Sequence, residues 1–378
     1  MERLHTIDRR TLLKSAGLAA MGVALGGCAR GSASTGLTYV PAAQRRLARV
    51  RVSSERLIRT VVGLRPFRPS GFVVRAERQD SKIIIHNYGH GGGGVTLSWG
   101  TAQLAIEEAL RTGQSSAAVL GCGAAGLATA RLLQQHGWTV TIYARDLPPN
   151  TTSNIAGGQW FPSSVFDEDH LTPTFEAQYL RAARIAYRAF QDLASDAYGV
   201  RWLENYIVHR TPLQDSRLRV ATADLYPDTQ ELAPGQHPFG RAYVRRYMGM
   251  LVEPGIYLRA VMQDFVLAGG RVVVREFSGI PDIVQLAEPV VINCTGLGAR
   301  ALFGDEELIP VRGQLCVLVP QPEVDYLVSD VENFYHMMPR HDGIVLGGTH
   351  ERGVWDLTPD AMTTERILAG NALLFTAL

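Results

Sequence analysis

The chain has 378 residues, 46% of them hydrophobic, enough to bury one or two ordinary cores. Its 37 Lys+Arg against 36 Asp+Glu leave a net charge of +1, which excludes a strongly basic nucleic-acid binder or an acidic disordered tail. Lys14 and Lys82 are the only lysines and neither follows a phosphate-loop pattern, which excludes Schiff-base and phosphate-loop chemistry; HExxH, paired CxxC and GxSxG are absent as well.

The first element is an address. Arg9-Arg10-Thr11-Leu12-Leu13-Lys14 is a twin-arginine run, and the uncharged stretch from Ser15 to Ala29 is too short to span a bilayer as a helix. It ends in Leu25-Gly26-Gly27-Cys28, which looks like a bacterial lipobox. The expectation is export of residues 1–27 as a signal, lipid on Cys28 and a stalk over 28–40. Cys122, Cys294 and Cys316 remain, an odd number in apolar or Gly-rich contexts, and read as buried thiols and not as a disulfide framework. Twin-arginine export suits proteins that fold around a cofactor before crossing.

Lys82 to Ile85 reads as a strand leading into His86-Asn87-Tyr88-Gly89-His90-Gly91-Gly92-Gly93-Gly94-Val95-Thr96, then a helix from about Thr101 to Leu110. Consecutive glycines let backbone approach a flat ring, and the helix N-terminus offers amides and positive dipole to an anion. His86 and His90 are four apart, but no third ligand follows and the segment is not helical, so no metal site is expected.

Ser116 to Leu120 is a short apolar run followed by Gly121-Cys122-Gly123-Ala124-Ala125-Gly126, a helical pattern from Leu127 to His136, a stop at Gly137 and a second strand from Trp138 to Tyr143. This is a complete βαβ start. Gly121 makes the tight turn, Gly123 lets backbone approach a pyrophosphate, Gly126 packs helix on strand, and the helix N-terminus meets the phosphate charge. Arg145 and Asp146 follow, where an acid commonly meets ribose hydroxyls. Arg145 also suits a 2′-phosphate, so FAD and NAD(P) both stay open at this point. Further strands are expected at Gly270 to Arg275 and Val290 to Asn293.

Several segments together resemble the D-amino-acid oxidase family, over nearly all of the chain beyond the leader. They are Gly63-Leu64-Arg65-Pro66-Phe67-Arg68-Pro69, the His86 to Gly100 stretch, Arg145 to Ser153 with Ala156 to Trp160, Val291 to Gly296, Arg312-Gly313-Gln314 and Gly347-Gly348-Thr349. In the family the Gly-Arg-Pro and Asn-Tyr-Gly-His-Gly-Gly segments come last, whereas here they come first. The resemblance therefore implies a circular permutation, with the old ends joined near Arg111 to Ser115. New ends fall near Tyr39 to Arg56 and Leu368 to Leu378, both with helix-like patterns. The implied fold is α/β. An FAD-binding Rossmann-like domain comes from 61–158 and 255–303, and a second, mixed antiparallel-sheet substrate domain from 159–254 and 304–370.

The same resemblance implies FAD-dependent oxidative deamination of D-amino acids to 2-oxo acids, with ammonia and hydrogen peroxide. It places Arg65 on the substrate carboxylate, the Gly92 backbone at the substrate amine, and Gly91, Gly94, Val95 and Thr96 at the flavin ring. Thr151, Thr152, Ser153, Gly158 and Gln159 would hold the pyrophosphate and flavin edge, Thr295 would join them, and Phe277 would flank adenine. One departure concerns the substrate wall. In Glu332-Asn333-Phe334-Tyr335-His336-Met337-Met338-Pro339, His336 falls on a tyrosine position of the family and Tyr335 is one residue off, which reverses their faces on a strand. Either His336 replaces the hydroxyl or a bulge restores Tyr335. Phe161 stands where many relatives carry a polar group, which favours neutral or apolar side chains over aspartate. The sequence leaves open a dehydrogenase passing electrons to a membrane acceptor, an NADP-dependent dehydrogenase, and a non-catalytic flavin-binding lipoprotein.

Overall fold

A computed structural model describes residues 46–376 and 378; the twin-arginine run, Cys28 and the stalk lie outside the described residues. In chain order the strands are β1 Leu57–Phe67, β2 Val73–Gln79, β3 Lys82–Tyr88, β4 Ser116–Leu120, β5 Thr139–Ala144, β6 Val200–His209, β7 Gln230–Leu232, β8 Tyr243–Val252, β9 Arg271–Val274, β10 Val290–Asn293, β11 Ile309–Leu318, β12 Tyr326–Asp330, β13 Tyr335–Arg340, β14 Gly343–Gly347 and β15 Glu351–Arg352. They form two mixed sheets, as expected for the α/β class.

The smaller sheet has the order β2-β3-β10-β4-β5-β9, parallel except for β2. Its central strands are apolar on both faces because both faces are covered. Along β4, Ala117 and Val119 enter the large core with helices Ser98–Leu110, Ala124–Gln135 and Pro254–Leu267. Ala118 and Leu120 point the other way, to a cluster with Ile283 and Leu286. Asn87, Thr129 and Cys294 form a small buried polar group beneath: Asn87 Nδ2 donates to Thr129 Oγ1 at 3.1 Å, and the Thr129 hydroxyl lies 3.8 Å from the Cys294 sulfur. All three remaining cysteines are buried and free, and burial pushes the Cys122 and Cys294 thiols up to about 12.

The larger sheet has the order β1-β11-β14-β13-β12-β6-β8-β7, with β15 beside β11, and is antiparallel except between β12 and β6. Along β11, Cys316 and Leu318 face one cluster, shared with Ile367, Leu374 and Phe375 of the C-terminal end, while Leu315 and Val317 face another. That alternation is the period-two pattern of a strand buried on both sides.

Three expectations need correction. Residues 61–67 belong to β1, which pairs with β11 across ten registered positions and so lies in the larger sheet, not the dinucleotide sheet. The helix after the Gly run starts at Ser98. The described part of the Tyr39 to Arg56 stretch is not helical. It is irregular over 46–53 with a single 3-10 turn at Ser54–Arg56, because its backbone bonds elsewhere: Arg51 N–H donates to Gln321 Oε1 at 2.8 Å, and the Tyr326 hydroxyl to the Ala48 carbonyl at 2.7 Å.

Candidate active site

A cavity of about 1230 Å³ opens at the carboxyl ends of β4, β5 and β10 and continues against the larger sheet. That is more room than the roughly 300–1,000 Å³ of an ordinary small-ligand site. At one end lies the turn after β4. Gly121 has φ +108, and a Cβ there would stand 2.4 Å from the Cys294 carbonyl oxygen. A Cβ on Gly126 would stand 2.1 Å from the Gly121 carbonyl oxygen. Gly126 therefore packs helix on strand and does not itself line the cavity, whereas Gly121, Gly123, Ala124 and Ala125 do. The helix Ala124–Gln135 starts at Gly123 without a side-chain cap of its own, and Ala124 N–H donates to Ser153 Oγ at 3.0 Å. The first-turn amides and dipole thus face the cavity, as a pyrophosphate requires.

Beyond that turn, Arg145 pairs with Asp146 at 2.9 Å and with Glu276 at 3.6 Å, and the Arg275 guanidinium lies 4.8 Å from the Phe277 ring centroid. All line the cavity. Two carboxylates beside Arg145 repel a 2′-phosphate and suit ribose hydroxyls. On the other side Thr151, Thr152, Ser153, Gly158, Gln159 and Thr295 line the wall. Gln159 is fixed by donating to Asn205 Oδ1 at 2.9 Å and to the Tyr247 hydroxyl at 3.1 Å, and Thr295 Oγ1 donates to Asn293 Oδ1 at 2.7 Å.

The Gly run also lines the cavity at Gly91, Gly92, Gly94, Val95 and Thr96, but for a reason the sequence did not show. A Cβ on Gly91 would meet the Ser164 carbonyl at 2.0 Å, one on Gly92 the Ser163 carbonyl at 2.5 Å, and one on Gly93 the Val165 side chain at 2.7 Å. These three glycines are required by the segment 163–165; only Gly94 faces open space, its nearest neighbour being the His90 Cβ at 3.8 Å. Gly92 N–H donates to the Ser164 carbonyl, so the group it can offer the cavity is its own carbonyl. The two histidines have separate partners: the His86 Nδ1 lies 3.0 Å from Asn293 Nδ2, and the His90 Nε2 2.9 Å from Thr101 Oγ1.

At the far end stands Arg65 on β1. Burial lowers its proton affinity, its Nη1 is buried with no hydrogen-bond partner, and its guanidinium lies over Gly313. His336 faces the same space, and the strand register settles the sequence ambiguity. Ser329 pairs with His336 and His336 with Gly347, without a bulge. The His336 ring covers Gly347. The Tyr335 ring is directed at Gly370, so it packs towards the helix Ala361–Leu374 while still contributing to the cavity wall. Burial, then the Arg65 charge, lowers His336 to about 4, and the same causes lower His350. Both imidazoles are neutral at neutral pH beside one buried cation. Phe334 of the same segment and His350, Trp355 and Leu357, which no short motif announces, also line this end.

The sequence model of the family described as FAD dependent oxidoreductase (DAO) matches residues 23–108 and 116–378. The chain belongs to that family. It is similar to a D-amino-acid oxidase of Rubrobacter xylanophilus, 32% identical over 257 residues that cover 67% of this chain and 74% of that protein. It is also similar to the D-aspartate oxidase of Homo sapiens, 30% identical over 265 residues that cover 67% and 73%. Among solved structures, glycine oxidase from Bacillus cereus shares the fold at a TM-score of 0.54 and 16% identity, covering 70% of this chain and 79% of that one. This FAD-dependent oxidoreductase is a flavoenzyme, and its cavity fits the cofactor: the glycine turn admits no Cβ, the helix start facing it lacks a cap of its own, and the volume exceeds what a substrate needs. Gly121, Gly123, Ala124, Ala125 and Ser153 would hold the pyrophosphate, Asp146 and Phe277 the adenosine, and Gly94 to Thr96 the ring.

Proposed function

We propose that the protein oxidises D-amino acids to 2-oxo acids, releasing ammonia and, with dioxygen as acceptor, hydrogen peroxide. The observation that carries this reading is Arg65, a guanidinium with an unpartnered buried Nη1 in the cavity that fits FAD. A buried, unpaired charge is costly, and a carboxylate supplies both the opposite charge and a bidentate match. Bound FAD would supply the two-electron acceptor for the hydride of the substrate Cα, the nitrogen giving up a proton and water hydrolysing the imine to the 2-oxo acid and ammonia. Arg65 fixes the carboxylate so that Cα is presented in one orientation. Neutral His336, its ring hydrogen-bonded to the Phe334 backbone, walls the carboxylate end beside Arg65 in place of a phenol, and the Gly92 carbonyl orients the amine N–H groups. The similarity to D-amino-acid oxidases supports the substrate class.

The site is tested by an anaerobic visible spectrum of the flavin-loaded protein before and after mixed D-amino acids, with L-enantiomers as control, followed by air. Bleaching by the D set alone, then peroxide on aeration, is expected. Bleaching with no peroxide but with reduction of an added dye favours a dehydrogenase with a membrane acceptor, and a flavin band that D-amino acids leave unbleached overturns the reading. The address reading extends the proposal to an exported enzyme held at a membrane by lipid on Cys28. The chain order extends it to a circularly permuted member of the family. The family model matches in two separate stretches, and the gap between them, 109–115, covers the end of helix Ser98–Leu110 and the turn after it, where the resemblance puts the joined ends.

A further inference from the structure

A second recess, of about 440 Å³, opens between the stretch that follows β6 and the β12–β13 turn. That is room for a small molecule. Among the described residues Val331 alone lines both this recess and the large cavity, so the turn is a wall the two hollows share. His209, the last residue of β6, lines the recess and is only 1% exposed, whereas Thr211, Pro212, Gln214 and Glu332 around it are open to solvent.

The His209 ring is held from two directions. It stacks on Tyr243, its cross-strand partner on β8, with centroids 5.7 Å apart and planes 18° from parallel. Its Nδ1 meets the Thr211 carbonyl. A carbonyl oxygen only accepts, so Nδ1 carries the proton of the neutral ring and Nε2 presents a lone pair. That Nε2 is buried and has no hydrogen-bond partner. A buried acceptor without a donor carries a desolvation cost, which the N–H or O–H of a ligand in the recess would remove.

We propose that this recess is a second ligand site, separate from the centre built on Arg65, and that it takes a small uncharged molecule with one O–H or N–H donor on a hydrocarbon body. The donor meets His209 Nε2, and the body lies against Pro212, Leu213 and Val331. Charge sets the ligand class. Glu332 is the one carboxylate in the lining, and it already holds Arg210: Oε1 accepts from the backbone N–H at 2.9 Å and Oε2 stands 3.3 Å from Nε. An ionic ligand would have to break that pair, and a metal ion would find one imidazole, an engaged carboxylate and a guanidinium beside them. The walls also stand ready. Buried Asp330 pairs with Arg241 at 2.8 Å and accepts from the N–H groups of Glu332 at 3.2 Å and Asn333 at 3.1 Å, which fixes the turn that carries Val331 and Glu332.

The test uses the full flavin-loaded protein labelled with nitrogen-15 at histidine, and two probes of nearly equal shape: phenol, which donates a hydrogen bond, and toluene, which does not. The His209 signals are those that disappear in His209→Phe, a change that keeps a ring on Tyr243. In the parent protein Nε2 is expected to be unprotonated and to shift on titration with phenol, which binds at least about tenfold tighter than toluene. Leu213→Trp, which fills the recess from its apolar side and leaves the His209 ring in place, is expected to abolish the phenol titration while flavin content stays parental. A protonated Nε2, equal affinities for the two probes, or a titration that Leu213→Trp retains overturns the inference. So does phenol that shifts the visible flavin band and leaves the His209 signals unmoved, because it then occupies the large cavity.

Discussion

Arg65 reaches its place because β1 and β11 pair with Gly63 opposite Gly313 and Arg65 opposite Val311, which lays the guanidinium over a residue without a side chain. A Cβ on Gly313 would come within 2.3 Å of Nη1 and 2.8 Å of Cζ. Gly313→Ala is therefore expected to displace the guanidinium while leaving the flavin wall intact. A charge-assisted hydrogen bond contributes about 1.5–3 kcal/mol, so kcat/KM for D-amino acids should fall roughly 10- to 100-fold, mainly through KM. The flavin content should stay at one per chain; an unchanged KM would show that Arg65 does not serve the carboxylate. Arg65 was legible from its Pro-flanked motif, and Gly313 from the Arg-Gly-Gln motif, but their contact was not, since 248 positions separate them and only the sheet brings them together. His336 and Tyr335 illustrate the same limit. The sequence posed two alternatives, and the choice lay in a register shared with β12 and β14.

Among the elements, the helix Ser98–Leu110 links core packing to the cavity. It follows directly from Gly94, Val95 and Thr96, and it meets the helix Pro173–Asp192 at Gly100, where a Cβ would lie 1.9 Å from the Ala182 carbonyl oxygen. The obstacle is backbone, so Gly100→Ala must separate the two helices. Overpacking of this kind costs roughly 1–3 kcal/mol, and the shift carries into the Gly94 to Thr96 backbone. The expected outcome is a lower Tm of the flavin-loaded protein together with weaker retention of flavin on dilution. A variant with parental Tm and parental flavin retention would show that the contact is slack. The βαβ start around Gly121 was legible because its turn, helix and two strands are contiguous, so each glycine has its role within thirty residues. The Gly91 to Gly93 run suggests room for a ring in the sequence, but it is room for Ser163 to Val165, a neighbour about 70 residues away. Strand β1 was likewise recognisable by its motif, while nothing in its own composition says which sheet accepts it.

At the scale of the whole molecule, the proposed permutation of chain order can be tested directly. The turn between helix Ser98–Leu110 and β4 is mostly exposed, and family similarity is interrupted across 109–115. Leu47 and Val50 share one apolar cluster with Leu374 and Phe375, so the first and last parts of the described residues are held by the same core. If the order is a permutation of an unchanged fold, reversing it should be tolerated, because loop closure varies slowly with loop length and both junctions are at the surface or bridgeable. A rearranged chain running from Ser116 to Thr376, through a Gly/Ser linker of about ten residues, into Arg46 to Leu110 would have the order that the family resemblance implies. It is expected to fold, to bind one flavin, and to unfold within about 2 kcal/mol of the parent. Flavin stoichiometry and denaturant unfolding of the two chains decide it. A rearranged protein that is insoluble and flavin-free would mean that β1 to β3 must be made before β4, which would place the permuted order in the folding route as well as in the sequence.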